Sequence, residues 1–120
     1  MTLVLASYFE PENHGPGRKI GVSINKPEEG SCEFRFDPFV PNADVFWEYH
    51  KTKQTDPLAG KKFSDAYKKQ LDEFLEVASK EDLPFEDGDT LLSYERKGHL
   101  SYRTILAIYL EKLGYEVEQR

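Results

Sequence analysis

The sequence predicts a single three-layer α/β domain with a mainly parallel sheet of about four to five strands and helices on its faces. Three observations carry that prediction. Residues 89–120 read as strand, short loop, helix, glycine, strand, which is a β-α-β unit. Leu3-Val4-Leu5-Ala6 is a continuous apolar run of the kind found where both faces of a strand are covered. Between these two regions lies a long segment with apolar residues at helical spacing. A chain of 120 residues fits one domain, and a domain of that size buries roughly two thirds of its unfolded surface. Its aromatic content of 13% supplies large buried areas from few positions and argues against disorder.

Taken in order, residues 2–9 are the first strand. Pro11-Glu12-Asn13-His14-Gly15-Pro16-Gly17 is a loop enforced by two prolines and two glycines. Residues 19–24 alternate as a second strand with one polar face, and Cys32, Phe34 and Phe36 alternate against Glu33 and Arg35 in a short extended piece. Asp37-Pro38-Phe39-Val40-Pro41 breaks the chain. Asn42 then caps a short helix through residue 51, its side-chain oxygen accepting from an unpaired N–H of the first turn. Val45, Phe46 and Tyr49 form the apolar side of that helix, with Trp47 off the stripe and able to cover a second surface. Residues 52–62, containing Pro57 and Gly60, are the longest connector.

Ser64 is expected to cap the clearest amphipathic helix, over 65–79, whose stripe is Tyr67, Leu71, Phe74, Leu75 and Ala78. Asp65 with Lys69, Lys69 with Glu73 and Glu76 with Lys80 are i,i+4 pairs on its solvated side, each worth about 0.2–0.5 kcal/mol. The turn Asp87-Gly88-Asp89 leads into a strand over 90–94. A helix over 100–113 follows, with Tyr102, Leu106, Tyr109, Leu110 and Leu113 at helical spacing. Gly114 stands where a left-handed residue ends a helix, and residues 115–118 alternate as a last strand, parallel to its predecessor by a right-handed crossover.

A net charge of -6 repels a phosphate backbone at long range, so nucleic acid is not expected as a partner. One cysteine, Cys32, allows neither an intramolecular disulfide nor a cysteine metal cluster. His14, His50 and His99 lack metal-ligand spacing, and neither a metal nor a cofactor is expected. No apolar run has the length to span a membrane, and nothing at the start resembles a signal peptide, so the expected location is cytoplasmic.

Ligands of open α/β sheets bind outside the carboxyl ends of the strands. That rule selects residues 95–103, where unpaired N–H groups open the last helix and attract anions. Arg96, Lys97, His99 and Arg103 gather cationic or donor groups there, and Tyr8, at the carboxyl end of the first strand, lines the same cleft. His14 and Arg18 are within reach of it. The same residues also suit an ordinary ion-pair network, with Arg103 paired to Glu95 or Glu118. Ser101, His99 and Glu95 can be drawn as nucleophile, base and orienting group, or Ser101 is simply the cap of the helix. Cys32 reads as a small core residue.

Ser7-Tyr8-Phe9, Ile20-Gly21-Val22-Ser23, and Phe63 with Tyr67 and Leu71 resemble segments of the domain-of-unknown-function 488 family of small, mostly bacterial and archaeal proteins. Leu91-Leu92-Ser93-Tyr94-Glu95, then Gly98 and Ser101-Tyr102-Arg103, resemble its C-terminal signature of Leu-Leu-Cys-Tyr/Phe-Glu followed by Cys-His-Arg. Glu95 and Arg103 match that pattern; Ser93, Ser101 and Tyr102 replace its two cysteines and its histidine. The resemblance implies a fold and a site position more than an activity, and a member with hydroxyls and a phenol in place of thiols and imidazole has lost any thiol chemistry. The expected site is therefore Tyr8, Ser93, Glu95, Arg96, Lys97, His99, Ser101, Tyr102 and Arg103. The expected function is binding of an anionic, phosphate- or nucleotide-like ligand or of a partner, without catalysis. The alternatives are a hydrolase of a phosphorylated or nucleotide-like substrate that uses Glu95 and Arg103, and a protein-interaction module using exposed aromatics such as Trp47.

Overall fold

The computed structural model describes residues 1–25, 28–94 and 102–120. Five strands, β1 (Thr2–Ser7), β2 (Lys19–Gly21), β3 (Phe34–Arg35), β4 (Thr90–Ser93) and β5 (Glu116–Gln119), form one sheet in the order β3-β2-β4-β1-β5. Every pairing is parallel, with Ser7 opposite Ser93 and Thr2 opposite Glu116. The α-helices are α1 (Ala43–Thr52), α2 (Ala59–Val77) and α3 (Tyr102–Lys112), and single 3-10 turns occupy Pro11–Asn13, Asp37–Phe39 and Lys80–Asp82.

The three layers are unequal. Leu3, Leu5, Ile20 and Leu91 point to one face, where Phe63, Tyr67 and Leu71 of α2 and Leu106 and Leu110 of α3 close over them. Val45, Phe46 and Tyr49 of α1 join from the side. Val4, Ala6 and Leu92 point the other way into a small cluster with Tyr8, covered by the loop after β1 and its 3-10 turn. Handedness explains the asymmetry. Right-handed connections that step one way along a parallel sheet use one face, and those that step back use the other. Both steps toward β5, from β3 to β4 and from β4 to β5, contain α-helices; the step from β1 back to β2 contains only residues 8–18. Gly17 permits that close cover, since a Cβ there would lie 2.6 Å from the Gly88 carbonyl carbon.

The expected Asn42 cap is present, its Oδ1 accepting from Asp44 N–H at 3.0 Å. Gly114, at φ 99°, ends α3 as its position predicts. The expected start of α2 is corrected. The helix begins at Ala59, not after Ser64, and the long connector shrinks to residues 53–58. Asp56 organises the entry, accepting from Leu58 N–H at 2.9 Å and pairing with Lys62 at 2.7 Å. Once the turn is closed there, Ala59, Phe63, Tyr67 and Leu71 continue one buried row, and Gly60 is tolerated inside it. The charged face follows the earlier start, so Asp65 pairs with Lys61 at 2.6 Å rather than with Lys69.

At the amino ends of the strands, Asp89 is a structural anchor. Its carboxylate, 1% exposed, accepts from the Arg18 guanidinium at 2.7 Å and from the backbone N–H groups of Arg18 and Glu86 at 3.0 and 2.8 Å. Burial opposes its ionisation, but these donors outweigh burial and hold its pKa below the usual carboxylate value. The outermost strand β5 leaves Glu116, Glu118 and Gln119 exposed along the sheet's rim. Among the described residues, no helix is long and apolar enough to cross a membrane.

Candidate functional site

At the carboxyl ends of β1 and β4 the chain departs in opposite directions. After β1 it passes to the loop-covered face; after β4 it proceeds to α3 on the helical face. Such a switch point opens a crevice between adjacent strands. Strand alternation divides the side chains around it into two groups.

On the loop-covered face stand Tyr8 and Tyr94, ring centroids 4.7 Å apart, with Phe9 against Tyr94 at 5.5 Å. Tyr8 lies over Val4, Ala6 and Leu92 and reaches β2, where Gly21 makes room for it. A Cβ on Gly21 would meet the Tyr8 hydroxyl at 2.5 Å and Cys32 Sγ at 3.4 Å. Burial first, then the neighbouring Cys32, raises the pKa of the Tyr8 phenol above its ordinary value. The two tyrosines, Phe9, His14, Lys19 and Ser31 line a cleft of about 390 Å³, within the size range of small-ligand sites. His14 Nε2 lies 2.9 Å from the Ser7 carbonyl oxygen. A carbonyl can only accept, so this nitrogen carries the proton in the neutral ring and Nδ1 presents a lone pair. That Nδ1 is buried with no hydrogen bond among the described residues.

On the helical face Ser93 and Ser7 stand side by side, as their register requires. The Ser93 hydroxyl is buried and makes no hydrogen bond among the described residues, whereas Ser7 Oγ accepts from Phe9 N–H at 3.1 Å. Tyr102 donates its hydroxyl proton to the Val22 carbonyl at 2.8 Å and meets Tyr67 edge-on. Arg103 is buried, at 3% exposure, and donates to the carbonyls of Leu5 and Arg120 at 2.8 and 2.7 Å. It thereby fastens the middle of β1 to the chain beyond β5, while Glu118 pairs with Arg120. The guanidinium is thus engaged with main chain in a buried position.

The structure therefore separates residues expected to act together. Tyr8 belongs to the loop-face cleft; Ser93, Tyr102 and Arg103 lie across the sheet from it. His14 lines the cleft as expected. Arg18 does not reach it, because the guanidinium is held by Asp89 at the opposite end of the strands. Cys32 is half-buried beside Tyr8 rather than part of either core cluster. Glu95, Arg96, Lys97, His99 and Ser101, including the expected Ser101 cap, lie outside the described residues. Tyr94, Lys19 and Gly21 were not singled out as site residues from the sequence. Gly21 carried a usable signal, since a glycine inside a strand marks a close approach. Among the described residues no group of three His, Cys, Asp or Glu is placed to hold a metal ion. No protein-family model, curated protein or solved structure matches the chain.

Proposed function

We propose that the protein binds a small anionic, phosphate- or nucleotide-like ligand in the crevice at the carboxyl ends of β1 and β4, without catalysing a reaction on it. One observation carries this reading. Tyr94, a wall of the aromatic cleft, is followed directly in the sequence by Glu95-Arg96-Lys97-Gly98-His99. A planar group stacked on Tyr94 would lie beside the point where that basic stretch of sequence begins. Lys19 adds a cation to the lining of the cleft, which also holds the acid Glu28, and His14 adds a polar group.

The resemblance to the domain-of-unknown-function 488 family points to the same end of the sheet. Ser93, Ser101 and Tyr102, standing where that family's signature has thiols and an imidazole, favour binding over catalysis. A hydrolase that used Arg103 to hold a phosphoryl group is less well supported, because the guanidinium would first have to release the Leu5 and Arg120 carbonyls.

The test is calorimetry and thermal unfolding at low salt with inorganic phosphate, a nucleoside and the corresponding nucleoside diphosphate. Binding of the diphosphate at a hundredfold excess over Kd should stabilise the fold by about 2.7 kcal/mol. The effect should shrink with added salt and in the double variant Arg96→Gln/Lys97→Gln. Absence of binding by all three compounds overturns the proposal.

A further inference from the structure

A second concave site lies between α1 and α2. From the geometry there we infer that the groove of about 410 Å³ between these helices is a binding site for a small amphiphilic cation, an aryl- or alkylammonium compound.

The floor is apolar and partly aromatic. Val45 and Tyr49 of α1 face Phe63 of α2, with the Tyr49 and Phe63 rings 5.3 Å apart and inclined by 37°. Ala59 and Ala66 flank Phe63 on its own helix, and their small side chains keep the groove open where leucines would fill it. Aromatic faces in such a setting attract a cation as well as an apolar body.

The lip is anionic on one side. Asp44 and Glu48 stand one turn apart on α1 and both border the groove. Like charges at that spacing weaken a helix. Asp44 is favoured by its place in the first turn of α1, but Glu48, a turn further on, has no such support. Neither carboxylate takes part in an ion pair among the described residues; Lys62, the one cation in the lining, pairs with the third acid, Asp56, at 2.7 Å and also feels the charge of Glu48, so three acids face one lysine. The free charge bordering the groove is therefore negative while its floor is apolar. The complementary ligand is one with an apolar body and a single positive end, small enough for the volume.

The experiment is a titration followed by ¹⁵N NMR with three matched probes: phenethylammonium, the neutral 2-phenylethanol and the anionic phenylacetate. The cation should perturb amides of residues 44–52 and 59–66, bind more tightly than the neutral probe, and weaken with salt. Phenylacetate should not bind. Asp44→Asn and Glu48→Gln should each weaken the cation roughly two- to fivefold, the scale of a partly exposed charge pair, and leave 2-phenylethanol unchanged. Ala66→Leu, which fills the groove without touching a charge, should abolish binding of both. Equal affinity for the cation and the neutral probe, perturbation confined to other residues, or no perturbation at millimolar concentration would each overturn the inference. So would concentration-dependent shifts of the same amides in the protein alone, which would make the occupant a second copy of the chain. A basic helical peptide binding where the ammonium probe does not would also rule out the small-ligand reading.

Discussion

The two faces of the sheet are built to different depths, although consecutive residues of one strand serve both. Leu3 and Leu5 look into a core closed by two helices, flanked by a third and rich in aromatic rings; Val4 and Ala6 look into a cluster of three buried residues beneath a loop. The helical face holds the molecule together. The loop-covered face leaves space over β2, and the aromatic cleft occupies it. Cover thin enough to leave a cleft is also cover that contributes little to stability, so the cleft and the cohesive core lie on opposite sides of the same backbone.

Adjacent substitutions sharpen that contrast. Leu5→Ala should cost about 3–4 kcal/mol, whereas Val4→Ala, one residue away and as fully buried, should cost about 2 kcal/mol because fewer carbons are removed and the cluster behind them is small. Urea unfolding of both variants is the measurement, and equal losses would break the contrast between the faces. Asp89→Ala should cost about 3 kcal/mol through the loss of a buried, multiply bonded carboxylate. The pKa of Asp89 is depressed in the fold, so its contribution is complete above the unfolded value of about 3.9 and is lost as pH falls through the folded value. Acid unfolding should therefore be flatter in Asp89→Asn than in the parent protein below about pH 4.

Much of the helical face was legible in the sequence, because it rests on spacing. The Asn42 cap, the row Tyr67 and Leu71, and the glycine stop at Gly114 follow from local chemistry. The start of α2 did not, since Asp56 closes the turn through contacts with Leu58 and Lys62 that no periodicity reveals, while Ser64 offered a plausible but unused cap. The order of strands was also hidden. Insertion of β1 between β4 and β5 depends on pairing between distant segments. The candidate site was legible only as a location. Tyr8 follows from the rule about carboxyl ends, but its side of the sheet depends on counting alternation from a run that is apolar at every position. Arg103 reads in sequence as either an anion-site cation or the partner of Glu95 or Glu118, and is buried against carbonyls supplied by β1 and by the residue after β5.

Smaller effects probe the loop-covered face directly. Gly21→Ala should displace the Tyr8 ring, costing about 1–2 kcal/mol and weakening any ligand of the cleft, while the cores of α2 and α3 retain their hydrogen-exchange protection. Spectrophotometric titration should find, among the seven tyrosines, a fraction that ionises only above the ordinary phenol range. The Tyr109 phenol, at the contact between α3 and α2, is pushed up to about 12 by burial and by Asp72, to which it donates at 2.8 Å, and Tyr8 is raised as well. Phenols that hold their protons longer in the fold add stability that is complete below about pH 10 and declines as pH climbs toward the raised values. The Tyr109→Phe variant should lose the Tyr109 share of that alkaline slope.

The acidic rim of β5 bears on how copies of this chain behave in a crowd. An outer strand is a template on which another chain can add itself, and unchecked addition leads to fibrils. Two molecules meeting border to border here would bring Glu116 of each against the other's rim, with Glu118 partly offset by Arg120, so repulsion guards the opening. Concentrated salt would weaken that guard by screening the carboxylates, making salt-rich storage the condition under which this protein is most prone to polymerise.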